Sequence, residues 1–201
     1  MARPRTHDEK LRLRLLDEGG RLLAAEGPAG LTVRRLAERA GTSPSAVYSL
    51  FGDKGGLIEE MFHEGFRRFA SRIAEIHPTD DPLANLQAFG GAYRDNARAN
   101  PHLYDLMFGH LFPQFDPAER IQAFAMATFQ ALVDTVQRSL DAGLLGGGEA
   151  VEIASILFAQ AHGLASLELA GWLGPPERAD RVWRNSLGLT VDGLRRAVAG
   201  G

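Results

Sequence analysis

A chain of 201 residues with 45% hydrophobic and 23% charged side chains can bury a sizeable core and is neither disordered nor fibrous. It has no cysteine, which excludes disulfides, thiolate metal sites and cysteine nucleophiles; no run reaches about 18 uninterrupted apolar residues, and Met1-Ala2-Arg3-Pro4-Arg5 lacks a signal peptide's apolar segment, so we expect a cytoplasmic protein with no membrane partner. The formal net charge of −3 is unevenly spread: residues 1–54 hold ten basic and seven acidic side chains, a net +3 that leaves −6 for the rest, as suits a nucleic-acid-facing head on an acidic body.

The pattern is helical throughout, and no run alternates with period two for long enough to argue a sheet. The first helix is predicted over Asp8–Glu26, ending at Gly27-Pro28. Thr32 then caps a short helix whose apolar positions Val33, Leu36, Ala37 and Ala40 follow the i, i+3, i+4, i+7 spacing, and Gly41 breaks it. Ser43 is an N-cap with Pro44 at the first helical position, where the missing N–H costs nothing. This third helix turns Val47, Leu50 and Phe51 inward and stops at Gly52. Asp53 caps a longer helix to about Ile76, closed by His77-Pro78. Further helices are predicted near 82–99, 101–109, 116–142, 149–172 and 176–198, separated at Asn100-Pro101, Pro113 to Pro117, Gly146-Gly147-Gly148 and Gly174-Pro175-Pro176.

Thr32–Ala40, the turn Gly41-Thr42 and Ser43–Phe51 together fit a helix-turn-helix, whose second helix enters the DNA major groove with its N-terminal residues leading. Those residues are Thr42, Ser43, Pro44, Ser45 and Ala46, followed by Tyr48 and Ser49 on the outer face. Short side chains let a helix approach base edges closely; hydroxyls and helix-end N–H groups can also hold phosphates. Thr32 and Ser43 would equally be good caps in any protein, and Arg3 and Arg5 read either as a disordered tail or as a minor-groove arm.

Gly27, Leu31-Thr32, Leu36-Ala37, Ala40-Gly41-Thr42-Ser43, Val47-Tyr48, Phe51, Lys54 and Leu57 resemble, over about forty residues, the tetracycline-repressor (TetR) family of bacterial regulators. The resemblance implies an all-α fold, with an N-terminal three-helix helix-turn-helix domain over 1–54, a connecting helix at 53–76, and a C-terminal helical bundle over 77–201 for effector binding and dimerisation. It implies a homodimer on a pseudo-palindromic double-stranded DNA operator. By the family pattern Thr32, Thr42, Tyr48 and Lys54 meet phosphates, and Ser43, Pro44, Ser45, Ala46 and Ser49 lie at base edges. This chain departs from the pattern at two glycine pairs; we expect close packing at Gly19-Gly20 and a softened joint at Gly55-Gly56.

In the second half, Asn100-Pro101-His102-Leu103-Tyr104-Asp105-Leu106-Met107-Phe108-Gly109 and Ala161-His162-Gly163-Leu164-Ala165-Ser166-Leu167-Glu168-Leu169 resemble the TetR C-terminal subgroup named for a Trp-His-Gly signature, with Ala161 at the tryptophan position. Phe89, Tyr93, Tyr104, Met107, Phe108, Phe124, Phe129, Phe158 and His162 form an aromatic and methionine-rich set with a few polar tips, suited to a small apolar effector. Phe and Met at helical spacing equally build plain core, and a histidine among apolar neighbours is commonly a hydrogen-bonded core residue.

Apolar residues lie nearly all round 151–172 and along 176–198 (Val182, Trp183, Leu187, Val191, Leu194, Val198), more than a lone chain can hide, and the family implies a four-helix dimer interface there. No metal is expected, since His102 and His110 lack an i, i+4 partner and carboxylate company, and no cofactor or catalytic set stands out. Gly146-Gly147-Gly148-Glu149 lacks the lysine of a phosphate-binding loop. The sequence therefore reads as a ligand-responsive repressor, not an enzyme.

Overall fold

The computed structural model describes residues 5–77, 79–109 and 119–199, with side chains placed over 8–77, 79–109 and 122–195. Arg3, His110, the Pro113–Pro117 break, the start of the helix predicted from 116, and the side chains of Arg5 and Val198 lie outside the described residues. Among the described residues all regular structure is helical: α1 (Arg5–Gly30), α2 (Val33–Arg39), α3 (Pro44–Phe51), α4 (Lys54–Ala74), α5 (Pro82–Ala99), α6 (Pro101–Phe108), α7 (Glu119–Asp141), α8 (Ala150–Leu169) and α9 (Pro176–Ala199). They form two compact units. One comprises the chain up to Arg67 with Asn100–Phe124; the other comprises Arg68–Ala99 with the chain from Ala125 onward. Helices α4 and α7 contribute residues to both.

The predicted breaks have local causes. Gly27 interrupts α1 with φ 69°, a left-handed value that glycine adopts without strain. The Lys54 ammonium donates to the Pro28 carbonyl just beyond it at 2.8 Å, tying the start of α4 to the end of α1. Helix α8 stops at Leu169, before the predicted 172, because Gly171 turns left-handed (φ +78°).

The first unit is held by one apolar cluster. Leu15, Leu16, Leu22 and Leu23 of α1 meet Leu36 and Ala37 of α2, Val47 and Phe51 of α3, and Leu57 and Met61 of α4. Leu103 and Leu106 of α6 are buried in the same cluster. The compact unit is therefore wider than the 1–54 head expected from sequence, because α6 packs on α1. Glycines permit that approach: a Cβ on Gly20 would stand 2.3 Å from the His102 ring, and one on Gly65 would stand 2.6 Å from Met107 Sδ. Gly19 likewise faces Met61, so the first glycine pair does mark close packing. The second pair has a steric side that the sequence did not show. A Cβ on Gly56 would come 2.1 Å from the Phe51 carbonyl oxygen, so that glycine answers to steric contact at the α3–α4 corner.

In the second unit α8 packs against α5 and α9. Helix α8 is long and apolar enough to cross a membrane by length and composition alone, with mean hydropathy 1.3. Ile153, Ala154, Leu157, Ala161, Leu164 and Ala165 are buried, whereas Val151, Ile156 and Leu167 are exposed. A charged network joins the three helices. Arg94 of α5 donates to both Glu168 oxygens of α8 (2.8 and 2.7 Å) and pairs with Asp180 of α9 at 2.7 Å. Trp183 Nε1 donates to Glu168 at 2.7 Å, and the Arg94 guanidinium lies 5.5 Å from the Trp183 ring centroid. The Arg94 hydrogen bonds hold the Glu168 carboxyl below its ordinary pKa, against the opposing effect of partial burial.

Two sets of variants test this packing. Glu168→Ala leaves a half-buried guanidinium with Asp180 alone and the Trp183 N–H without its acceptor, and chemical denaturation should show a loss of about 2–3 kcal/mol after allowing for partial exposure. Because the Glu168 pKa is depressed on folding, its contribution is complete above its ordinary 4.5 and fades as pH falls below that value. Glu168→Gln should therefore flatten the acid limb of the stability curve. Among the glycines, Gly56→Ala should destabilise by about 1–3 kcal/mol despite alanine's better helix propensity. Gly91→Ala, whose Cβ meets nothing within 4 Å, should stabilise by about 0.5–1 kcal/mol in the same denaturation series.

Candidate functional site

The helix-turn-helix is set by local hydrogen bonds. Thr32 Oγ1 accepts from Arg35 N–H at 3.3 Å and starts α2. Gly41, with φ +61°, makes the turn, and Thr42 N–H donates to Ala37 O at 2.9 Å. Ser43 Oγ accepts from Ala46 N–H at 3.3 Å and starts α3, with Pro44 at the first position. Asp53 Oδ1 accepts from Gly56 N–H at 2.8 Å and starts α4.

Once α3 is placed, its two faces separate as the pattern predicts. Val47 and Phe51 are buried and Leu50 is half-buried against the core. Ser43, Pro44, Ser45, Tyr48 and Ser49 are exposed, with Tyr48 at 53%, and Thr42 and Ala46 are half-buried. Thr32 is exposed at the start of α2, and Lys54 is half-buried with its ammonium on Pro28.

The basic side chains of the head are not simply displayed. Arg34 pairs with Glu38 at 3.2 Å, Arg35 with Glu26 (2.6 Å for one of its two bonds), and Arg39 with Glu18 at 3.2 Å. Glu18 also takes Arg21, and Arg12 reaches Glu60 of α4. Exposed pairs of this kind contribute about 0–1 kcal/mol each, so a phosphate could compete for these arginines at little cost to the fold.

The nine residues predicted for an effector divide between the two units. In the first, Tyr104 and Phe108 have ring centroids 5.0 Å apart, and Phe108 meets Phe66 edge-on at 6.1 Å. Phe124 meets His63 at 5.0 Å, and Met107 is half-buried against Gly65. In the second, Tyr93 meets Phe69 at 5.1 Å and Phe158 at 5.8 Å, and Phe129 meets Phe158 at 6.1 Å. His162 stacks on Phe158 at 6.1 Å, and its Nδ1 shares a 3.1 Å hydrogen bond with the Tyr93 hydroxyl. Burial lowers the His162 pKa, favouring the neutral ring. Phe89 is half-buried on α5.

Residues 15–61 match the family described as bacterial regulatory proteins, tetR family. Residues 86–189, more than half of the 201, match the tetracyclin repressor-like C-terminal domain. The chain belongs to the TetR family. An HTH-type transcriptional regulator of Mycobacterium tuberculosis is 25% identical over 141 residues, which are 67% of this chain and 59% of that protein. The match thus spans less than two thirds of that curated relative's length. The HTH-type transcriptional repressor AcnR of Corynebacterium glutamicum is 38% identical over 64 residues, 32% of this chain and 34% of the repressor. A solved structure of a protein of unknown function from Rhodococcus sp. RHA1 is similar at 30% identity with a TM-score of 0.77, covering 92% of this chain and 95% of that one.

Within this TetR-family chain, the residues that sequence reasoning missed are all on α4. His63 and Phe66 enter the aromatic cluster of the first unit, and Phe69 enters that of the second. Their spacing of three was legible; which of α4's several apolar stripes meets other rings was not. His63 Nδ1 is buried and has no hydrogen-bond partner among the described residues. Ala161, at the position of the signature tryptophan, is buried. The environment of His162 has a direct readout. In NMR titrations of the whole chain its ring should lose its proton with a midpoint below the ordinary 6.5, and a midpoint above 6.5 would contradict the burial described.

Proposed function

We propose that this chain is a DNA-binding transcriptional repressor that holds a pseudo-palindromic operator as a homodimer and releases it when a small apolar effector binds. One observation carries the reading: α3 is pinned by Val47 and Phe51 while its hydroxyl-lined face stands clear of the core. In this reading Thr32, Thr42, Tyr48 and Lys54 meet phosphates, and Ser43, Pro44, Ser45, Ala46 and Ser49 approach base edges. A relative of 38% identity over 64 residues is named a repressor, which favours repression over activation.

The dimer reading is supported by the second unit, where Val151, Ile156 and Leu167 of α8, Trp172 (77% exposed) and Leu189 of α9 leave apolar surface uncovered. A second copy related by a two-fold axis would cover it and would set two α3 helices about 34–36 Å apart, one turn of DNA. The effector reading rests on the two aromatic clusters, with the neutral His162–Tyr93 pair as a polar tip. Helix α4 supplies rings to both and begins at Lys54 beside α3, so it is the natural element for an effector to bias. A difference in effector affinity between two head spacings worth about 1–3 kcal/mol would change operator binding about 5–150-fold. Such a protein works where the chromosome is, in the cytoplasm, and has no need of a metal or cofactor.

Selection of bound duplexes from a random DNA pool tests the whole reading. The expected result is an inverted repeat bound by two chains, with affinity falling steeply as salt rises. Tyr48→Phe, which removes one hydroxyl from an exposed position, should weaken binding about 3–10-fold without changing stability. No enriched sequence, or a single chain per duplex, would end the proposal. A compound shown by tryptophan fluorescence to bind, yet leaving operator affinity unchanged, would end its effector part.

A further inference from the structure

In the major groove each base is read by its own chemistry. Guanine takes a bidentate arginine or lysine, adenine an asparagine or glutamine, cytosine a carboxylate, and the thymine C5-methyl takes apolar carbon. The sequence of α3 from Pro44 to Phe51, Pro-Ser-Ala-Val-Tyr-Ser-Leu-Phe, contains none of the charged or amide side chains on that list. Its outward surface consists of Pro44, Ser45, Tyr48 and Ser49, with the Ala46 methyl half-buried among them.

The first-turn hydroxyls are partly committed already. Ser43 Oγ accepts from Ala46 N–H and lies 2.8 Å from Ser45 Oγ, so one of the two hydroxyl hydrogens is spent between the serines. The charged residues flanking α3 point to partners other than a base edge: Arg39 to Glu18 in a surface pair that a phosphate could replace, Asp53 to the Gly56 N–H, and Lys54 to the Pro28 carbonyl. What α3 can offer a base edge is mostly carbon: a proline ring, an alanine methyl, serine methylenes and the edge of a tyrosine ring.

We infer that α3 reads its operator chiefly through thymine methyl groups packed against the carbons of Pro44 and Ala46 and the ring edge of Tyr48, whose hydroxyl is the part that meets phosphate, and not through the N7 and O6 atoms of guanine. This rests on the DNA-binding reading above, and it narrows that reading from an unspecified operator to half-sites whose contacted positions are thymines. Without a bidentate donor, each contact discriminates weakly. The half-site therefore depends on several methyls acting together, and on the two-fold repeat to multiply them.

The test uses the full chain and the duplex recovered from the random pool, remade with single-atom changes. Deoxyuridine in place of each thymidine in turn removes only the C5-methyl; 7-deazaguanine in place of each guanine removes only the N7 acceptor. Fluorescence anisotropy at fixed salt should show losses of about fourfold at two or more thymines of each half-site, the value of one buried methyl-sized group. No 7-deazaguanine should cost as much. A guanine whose N7 loss exceeds every uracil effect, or indifference to uracil at all positions, overturns the inference while leaving DNA binding intact. A pool from which nothing is recovered overturns the DNA-binding reading itself, and the inference with it.

Discussion

A helix-turn-helix of seven and eight residues is too short to hold its own shape. Isolated helices below about 12–15 residues are marginal in water even with favourable sequences. Everything α2 and α3 can do therefore depends on burying Leu36, Ala37, Val47 and Phe51 in a cluster whose other walls are α1, α4 and α6. Each of these short helices has one face committed to that cluster and one left over. On α3 the remaining face carries Pro44, Ser45, Tyr48 and Ser49, residues with no duty in the core. A substitution there changes what the helix touches and leaves what holds it in place unaltered.

The same dependence explains why the unit reaches past the first 67 residues. Leu103 and Leu106 of α6 are as deeply buried as the leucines of α1, and glycines at 20 and 65 let α6 come close enough to bury them. From the same helix, Phe108 meets Phe66 and Tyr104, and Met107 lies against Gly65. A group that pushed these rings apart would act on the core that positions α3, with no need for a separate relay.

Charge is handled differently in the two units. Around the helix-turn-helix of the first, Arg34, Arg35 and Arg39 meet carboxylates on the surface, where each pair is weak and exchangeable. In the second, Arg94, Glu168, Asp180 and Trp183 form a half-buried network across three helices, in which Glu168 and Arg94 each hold two partners. The exchangeable pairs suit a surface proposed to meet phosphate. The fixed network suits a bundle that must keep α8 and α9 in register.

The sequence by itself determined what short-range chemistry controls. Thr32, Ser43 and Asp53 start their helices, Gly27, Gly41 and Gly52 accept left-handed turns, and the apolar spacing of α2 and α3 separates an inner from an outer face. These depend on residues within one or two turns of each other, so the outer face of the candidate site was legible before any fold was known. Only the tertiary structure decided which of α8's apolar residues are buried and which remain uncovered, that α6 belongs with the head, that α4 supplies His63, Phe66 and Phe69 to two ring clusters, and that Gly56 answers to a carbonyl. Each of those outcomes requires residues far apart in the chain to meet, and an apolar pattern says only that a side chain seeks burial, not which surface buries it.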